Sequence, residues 1–378
     1  MNNDGLTPAT PMASLSALFQ RYQFHQGDVI KVDNGFYSSS TNIVLAAGES
    51  GLTIEGFNDP ANPAALAVLN FESSKKILPQ GMTFNPAIAS TTAFNYGPMD
   101  FGPNWIIEIL PYLEEQPLYD SFDLTTKIND SSVTSKNRIA RGTLIPVLLC
   151  PSDGYNKSLY AQAGRVTTHG DNWARTNYAA NAGRADLWWD ITKGDRYMNG
   201  PDSPGWKDNC KRGVIGPNTS VKLARISDGT SKTILLGEIR AGISTGDSRG
   251  AWALGHAGAT ILAGYGAGGD DNGPNVCNPV HKEDDVFSNI CADPEAASTC
   301  MSCDLGTYFS QATVRSVHVG GSFVTMCDGS VQFISDDIET TGPTINSPCC
   351  TVWDYMIASA DGGQPGLYNG AVAGAECR

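Results

Sequence analysis

The side chains with the most chemical reach lie in the last third of the chain. His318 is followed by Gly320 and Gly321, and a histidine beside a glycine pair can act as a metal ligand or a base on a loop. Its plainer role is a strand-edge histidine whose ring hydrogen-bonds a backbone carbonyl while the glycines allow close packing. The other four histidines, His25, His169, His256 and His281, form no HExxH pair or other zinc-type spacing with it, so the architectural reading leads. Asp328-Gly329-Ser330 lies between two alternating apolar runs and predicts a type I′ hairpin, because both central residues of that turn need positive φ. Asp228-Gly229-Thr230-Ser231 carries the same turn chemistry ahead of Thr233 to Leu236, with a shorter first arm.

Asp270, Asp271 and Asn272 offer hard oxygen ligands suited to Ca²⁺, as do Glu283, Asp284 and Asp285. The first run fails the EF-hand template, since Asn275 stands where the sharp-turn glycine belongs. An acidic loop is the plainer reading, and structural calcium is the one cofactor that the residues offer. Eight of the ten cysteines lie in the last third, Cys277, Cys291, Cys300, Cys303, Cys349 and Cys350 among them, which points to disulfides in an oxidising compartment. Cys300-Met301-Ser302-Cys303 supplies one CxxC knuckle where a zinc ribbon supplies two, so disulfides are expected over a four-cysteine metal site. The vicinal pair Cys349-Cys350 is expected to bond to two different partners, and the connectivity stays open.

Signatures of covalent or cofactor catalysis are missing, so no catalytic residue is assigned. Gly229-Thr230-Ser231-Lys232-Thr233 lacks the closing glycine of a nucleophile elbow, and neither a Walker A loop nor a dinucleotide fingerprint is present. Glu114 and Glu115 are adjacent and must diverge, which unsuits them for paired-carboxylate chemistry. Trp173, Tyr178, Trp188, Trp189 and Trp206 form an aromatic-rich region that could stack on sugar rings, although core or loop packing is simpler.

These side chains need a scaffold, and composition indicates its kind. The chain has 378 residues, with 41 Gly and 21 Pro, favouring short strands and turns over long helices. The net charge of −14 is spread along the chain, so nucleic acid is a poor partner, and no apolar run approaches the ~18 residues of a membrane span. Met1-Asn2-Asn3-Asp4-Gly5 shows no basic-then-apolar leader, so localisation has to be argued from the cysteines. Residues 1–60 read as a helix over Ser14 to Tyr22 followed by strand-like rungs at Asp28 to Asp33, Asn42 to Ala46 and Leu52 to Glu55. Their Gly- and Asn-cornered wording resembles one coil of a right-handed parallel β-helix, whose unpaired edges would be candidates for pairing with a neighbour. Residues 61–378 form the second unit: a helix over Ala61 to Lys76, strand candidates at Trp105 to Leu110, Leu144 to Leu149, Thr233 to Gly237 and Phe323 to Ile334, and a Gly- and Cys-rich surface insertion over 264–304.

The second unit also carries an ordered motif set. Leu149-Cys150-Pro151-Ser152-Asp153 is followed by Thr176-Asn177-Tyr178-Ala179-Ala180-Asn181, then Ile226-Ser227-Asp228-Gly229-Thr230-Ser231 with Gly237-Glu238, then Ser316-Val317-His318-Val319-Gly320-Gly321 and Cys327-Asp328-Gly329-Ser330. In this order the motifs resemble the domain of unknown function 1559 family over roughly residues 66–365. The resemblance implies an α+β, β-rich architecture: a pseudopilin-like antiparallel sheet head with a short N-terminal helix and long disulfide-tied loops. It also implies a non-enzymatic secreted or cell-surface protein that self-associates as a homo-oligomer in a filament or envelope assembly. Some pseudopilins carry structural calcium, and the apolar stem usual in the family has the β-helix-like segment in its place. The alternative is a module that binds a solute or a cell-envelope polysaccharide, as a label used for the family implies.

Overall fold

The computed structural model describes residues 77–84, 100–161, 169–187, 197–209, 211–264, 273–277, 284, 286, 293–303, 311–340 and 351–359, together with the backbone of two short N-terminal strands. The helices expected over Ser14 to Tyr22 and Ala61 to Lys76, and the rung at Asn42 to Ala46, lie outside the described residues, as do Asp270, Asp271, Asn272, Cys291, Cys349, Cys350, Trp188 and Trp189. The chain divides into two compact units, one over Met1–Lys76 with Tyr112–Glu114 and the other comprising Ile77–Pro111 and Glu115–Arg378. In the first, β1 (Val29–Val32) and β2 (Thr53–Gly56) pair in parallel, Val29 opposite Thr53, at two of the expected rungs.

The second unit is a mixed α/β body. Its strands are β3 (Met82–Phe84), β4 (Phe101–Asn104), β5 (Tyr178–Gly183), β6 (Asp186–Leu187), β7 (Tyr197–Met198), β8 (Ile215–Gly216), β9 (Thr219–Ser220), β10 (Ile234–Glu238), β11 (Ile261–Ala263), β12 (Gly321–Met326) and β13 (Val331–Ser335). Its helices are short: α1 (Trp105–Ile109), α2 (Gln116–Ser121), α3 (Lys136–Ala140), α4 (Pro204–Lys207), α5 (Pro294–Ser298) and α6 (Val352–Ile357). The main sheet has five strands in the order β11-β5-β10-β12-β13, antiparallel throughout except for the β11–β5 pair. The expected all-antiparallel head is corrected at that edge.

Alternation along β12 sets the two faces of the sheet. Val324 and Met326 point into a core with Ala179, Ile234, Leu262, Val314 and Ile334, closed by Trp353 and Ile357 of α6. Each such large side chain contributes about 1.5–3 kcal/mol on full burial. A capping box, Thr351 with Asp354, starts α6 and fixes where Trp353 enters. Phe323 lies on the other face, with Phe333 opposite it on β13, their rings edge-to-face at 5.0 Å.

Two strand expectations are overturned. Trp105 to Leu110 is α1 running into a 3₁₀ turn, because the Asn104 side chain caps it by accepting from the Ile107 N–H and its apolar run buries Trp105, Ile106 and Ile107 together. Within Leu144 to Leu149, Pro146–Leu148 form a 3₁₀ turn, with Pro146 at its start. Thr233 to Gly237 and Phe323 to Ile334 do form strands, as β10 and the β12–β13 hairpin.

The hairpin turn also differs from type I′. Only Gly329 has positive φ, at 85°, while the Gly329 N–H donates to Met326 O and the Met326 N–H to Ser330 O. This is a three-residue connection with a glycine bulge, and Asp328 folds back to accept from both the N–H (2.9 Å) and the hydroxyl (2.6 Å) of Ser330. Those Ser330 hydrogen bonds hold the Asp328 carboxyl below its ordinary range. The Asp228-Gly229 turn is no hairpin, since a 3₁₀ turn over Leu223–Arg225 precedes it. It receives the other turn instead: Asp328 N–H donates to Thr230 O and Cys327 N–H to Thr233 O.

Candidate functional site

The segment Thr313–His318 contributes to two polar clusters, Arg315 to one and His318 to the other. The first is buried. Arg249 pairs with Asp247 at 2.7 Å and with Asp284 at 2.9 Å, and Arg315 pairs with the same Asp284 at 2.9 Å, all four side chains being at most 3% exposed. Burial pulls the Arg249 pKa down, but Asp247 and Asp284 outweigh it and leave the group firmly charged. Two guanidinium groups meet two carboxylates, so the charges cancel. Asp284 belongs to the expected surface insertion, whose described residues include the buried Val286, Ala296, Met301 and Cys303, so that part of it is core. Cys277 and Cys300 form a disulfide there and Cys303 is also disulfide-bonded, as expected for these three.

The second cluster comprises Cys150, Glu238 and His318, each offering one ligand atom, all within 4.8 Å of one another. His318 Nε2 lies 3.2 Å from Glu238 Oε1 and 3.9 Å from Cys150 Sγ. The ring therefore faces a carboxylate and a thiol, which corrects the expected backbone carbonyl partner.

Each member is held by its own support. Cys150 precedes Pro151 in a loop pinned by amides: the Cys150 N–H donates to Asn177 Oδ1 (2.8 Å) and Asn156 Nδ2 to Cys150 O (2.6 Å). Asp153 in the same loop is already used, accepting from Asn177 Nδ2 (2.7 Å), the Ala241 N–H (2.8 Å) and the Tyr155 N–H (3.1 Å). Glu238 ends β10, and its Oε2 accepts from the Phe323 N–H at 2.8 Å. His318 is placed by Ser316, whose Oγ accepts from the His318 N–H (3.1 Å) and donates to Gly321 O (2.8 Å). Its ring packs edge-to-face on Phe323 at 5.4 Å. Gly320, at φ 81°, makes the bend into β12, and a Cβ on Gly321 would collide with Ile334 O.

A family model described as protein of unknown function (DUF1559) matches residues 62–341. The chain belongs to the DUF1559 family. No curated protein and no solved structure matches it. Within the DUF1559 region, three motifs far apart in sequence supply one ligand atom each: Leu149 to Asp153, Gly237-Glu238, and Ser316 to Gly321.

Sequence reasoning missed Cys150 and Glu238 as site residues, although both stood in quoted motifs, because their convergence depends on sheet pairing between distant segments. It also missed Asn275, which takes a left-handed φ of 51° and accepts from the Ser316 N–H at 2.6 Å, steadying the residue that places His318. The Asp328-Gly329-Ser330 turn stands apart as architecture. Of the aromatics, Trp173 is buried beneath the Arg141 guanidinium at 3.9 Å and Trp206 is buried too, so both serve packing.

Proposed function

We propose that this DUF1559 chain is a non-enzymatic structural protein of the cell surface or extracellular space, with a pseudopilin-like head that self-associates with further copies of itself. The observation that carries the reading is the outer face of the β12–β13 hairpin. β13 is the last strand of the sheet among the described residues, and Val331 (62%), Phe333 (48%) and Phe323 (39%) are exposed on that face, with Val319 (98%) in the preceding loop. An exposed apolar strand at a sheet edge is a template for pairing with another chain unless something covers it. The Cys277–Cys300 disulfide is in keeping with an oxidising environment, and no helix among the described residues is long and apolar enough to cross a membrane.

The alternative, a solute- or polysaccharide-binding module, has less behind it. The pocket beside Cys150, Glu238 and Arg315 holds about 10 Å³, room for roughly one water, far below the ~300 Å³ where small-molecule sites usually begin. Light scattering over a concentration series, with electron microscopy of the same samples, tests the reading. Species larger than the 40.1 kDa chain are expected to grow with concentration and to vanish in Val331→Lys/Phe333→Lys. A single 40.1 kDa monomer at every concentration contradicts it.

A further inference from the structure

We propose that Cys150, Glu238 and His318 bind one divalent transition-metal cation of the zinc class. This inference does not rest on self-association and stands or falls separately.

The geometry distinguishes a metal site from a catalytic relay. In a Cys–His–carboxylate relay the thiol and the acid address opposite ring nitrogens, so that one takes the proton and the other orients the ring. Here both face the same atom, Nε2, at 3.9 Å and 3.2 Å. One proton on that nitrogen can be donated to only one of them, whereas a cation between the three atoms is bound by all. Zinc bonds of about 2.3 Å to sulfur and about 2.0–2.1 Å to nitrogen and oxygen, arranged tetrahedrally, separate the ligand atoms by about 3.3–3.6 Å. The two pairs at Nε2 need adjustments of a few tenths of an ångström, and the Cys150–Glu238 pair, within 4.8 Å, has to close by up to about 1.2 Å.

Charge and ligand type agree. A thiolate and a carboxylate sum to two negative charges beside a neutral imidazole, which a divalent ion cancels. Two guanidinium groups line the same pocket, and both are engaged elsewhere: Arg315 pairs with Asp284 at 2.9 Å and Arg240 donates to Thr299 O. Thiolate with imidazole suits zinc, cobalt or copper and disfavours calcium and magnesium, so this site differs in kind from the acidic run at Asp270. The three ligands are also pre-placed by groups that do not touch the cation position: Asn177 behind Cys150, the Phe323 N–H behind Glu238, and Ser316 behind His318. The His318 side chain is 28% exposed, leaving the fourth tetrahedral position open to water or an outside ligand.

The test titrates Co²⁺ into the purified, chelator-stripped full chain. We expect one equivalent to give tetrahedral visible bands with a near-ultraviolet thiolate-to-cobalt band, both erased by Zn²⁺. Cys150→Ser should abolish the thiolate band, Glu238→Gln should weaken binding at least about tenfold, and Cys327→Ser should change neither. As a check that needs no variant, Zn²⁺ should slow alkylation of Cys150 in the wild-type chain at least about tenfold, read by peptide mass spectrometry. Absence of a thiolate band, its persistence in Cys150→Ser, or unaltered Cys150 alkylation overturns the site.

Discussion

The two polar clusters flanking Arg315 and His318 share neighbours but follow opposite charge rules. In the Asp247–Arg249–Asp284–Arg315 cluster, cations and anions alternate, every side chain is nearly inaccessible, and the charges cancel within the protein. In the Cys150–Glu238–His318 cluster all three facing atoms are electron-pair donors, and one of the three residues remains partly open to solvent. An ionic group that closes on itself is architecture. A convergence of donors held rigidly from behind is complete only when something positive joins it.

Breaking the closed cluster should have the largest effect. Asp284→Ala strands Arg249 and Arg315 as buried, under-compensated charges, and should cost about 3–5 kcal/mol in denaturant unfolding. A loss below about 1 kcal/mol would mean the cluster is wetter than its burial indicates.

A second effect comes from another buried titratable pair, His169 and His256, whose ring centroids lie 4.8 Å apart at a tilt of 37°. Burial, and then Arg141, push the His169 pKa down to about 3 from 6.5, and burial, then His169, lowers that of His256 as well. Both rings stay neutral when folded while the unfolded chain takes up protons below about pH 6.5. Their stabilisation is therefore complete above about pH 6.5 and lost as pH falls towards about 3, at up to about 1.4 kcal/mol per pH unit for each ring. His169→Gln should flatten that slope relative to wild type in unfolding measured from pH 7 to 4. An unchanged slope would assign the acid response to carboxylates alone.

The smallest effect is expected at the open cluster without metal. Cys150→Ser, in chelator-treated protein, should shift stability by less than about 1 kcal/mol, because the thiol is only half-buried and packs beside the partly exposed His318 ring. A larger loss would make Cys150 a packing residue and blur the contrast.

How far the sequence carried these conclusions follows from the range of the forces involved. β10 and the β12–β13 hairpin were legible because alternation and Asp-Gly turns act over a few residues, and the disulfide-bonded Cys277, Cys300 and Cys303 because cysteine crowding is itself local. Trp105 to Leu110 was misread because a short apolar run broken only by Glu108 shows no clear period, and only the Asn104 cap decides for helix. The exact turn at Asp328 was missed because Ser330 competes for the aspartate and leaves the positive φ to Gly329 alone. His318 was singled out, but its partners lie 80 and 168 residues away, a separation that no spacing rule bridges.

The contrast between the clusters is tested most directly by equilibrium unfolding of wild type and Cys150→Ser with and without Zn²⁺. The account predicts that zinc at a hundredfold excess over its Kd stabilises wild type by about 2.7 kcal/mol and leaves Cys150→Ser unmoved. Identical unfolding of wild type with and without zinc would contradict it.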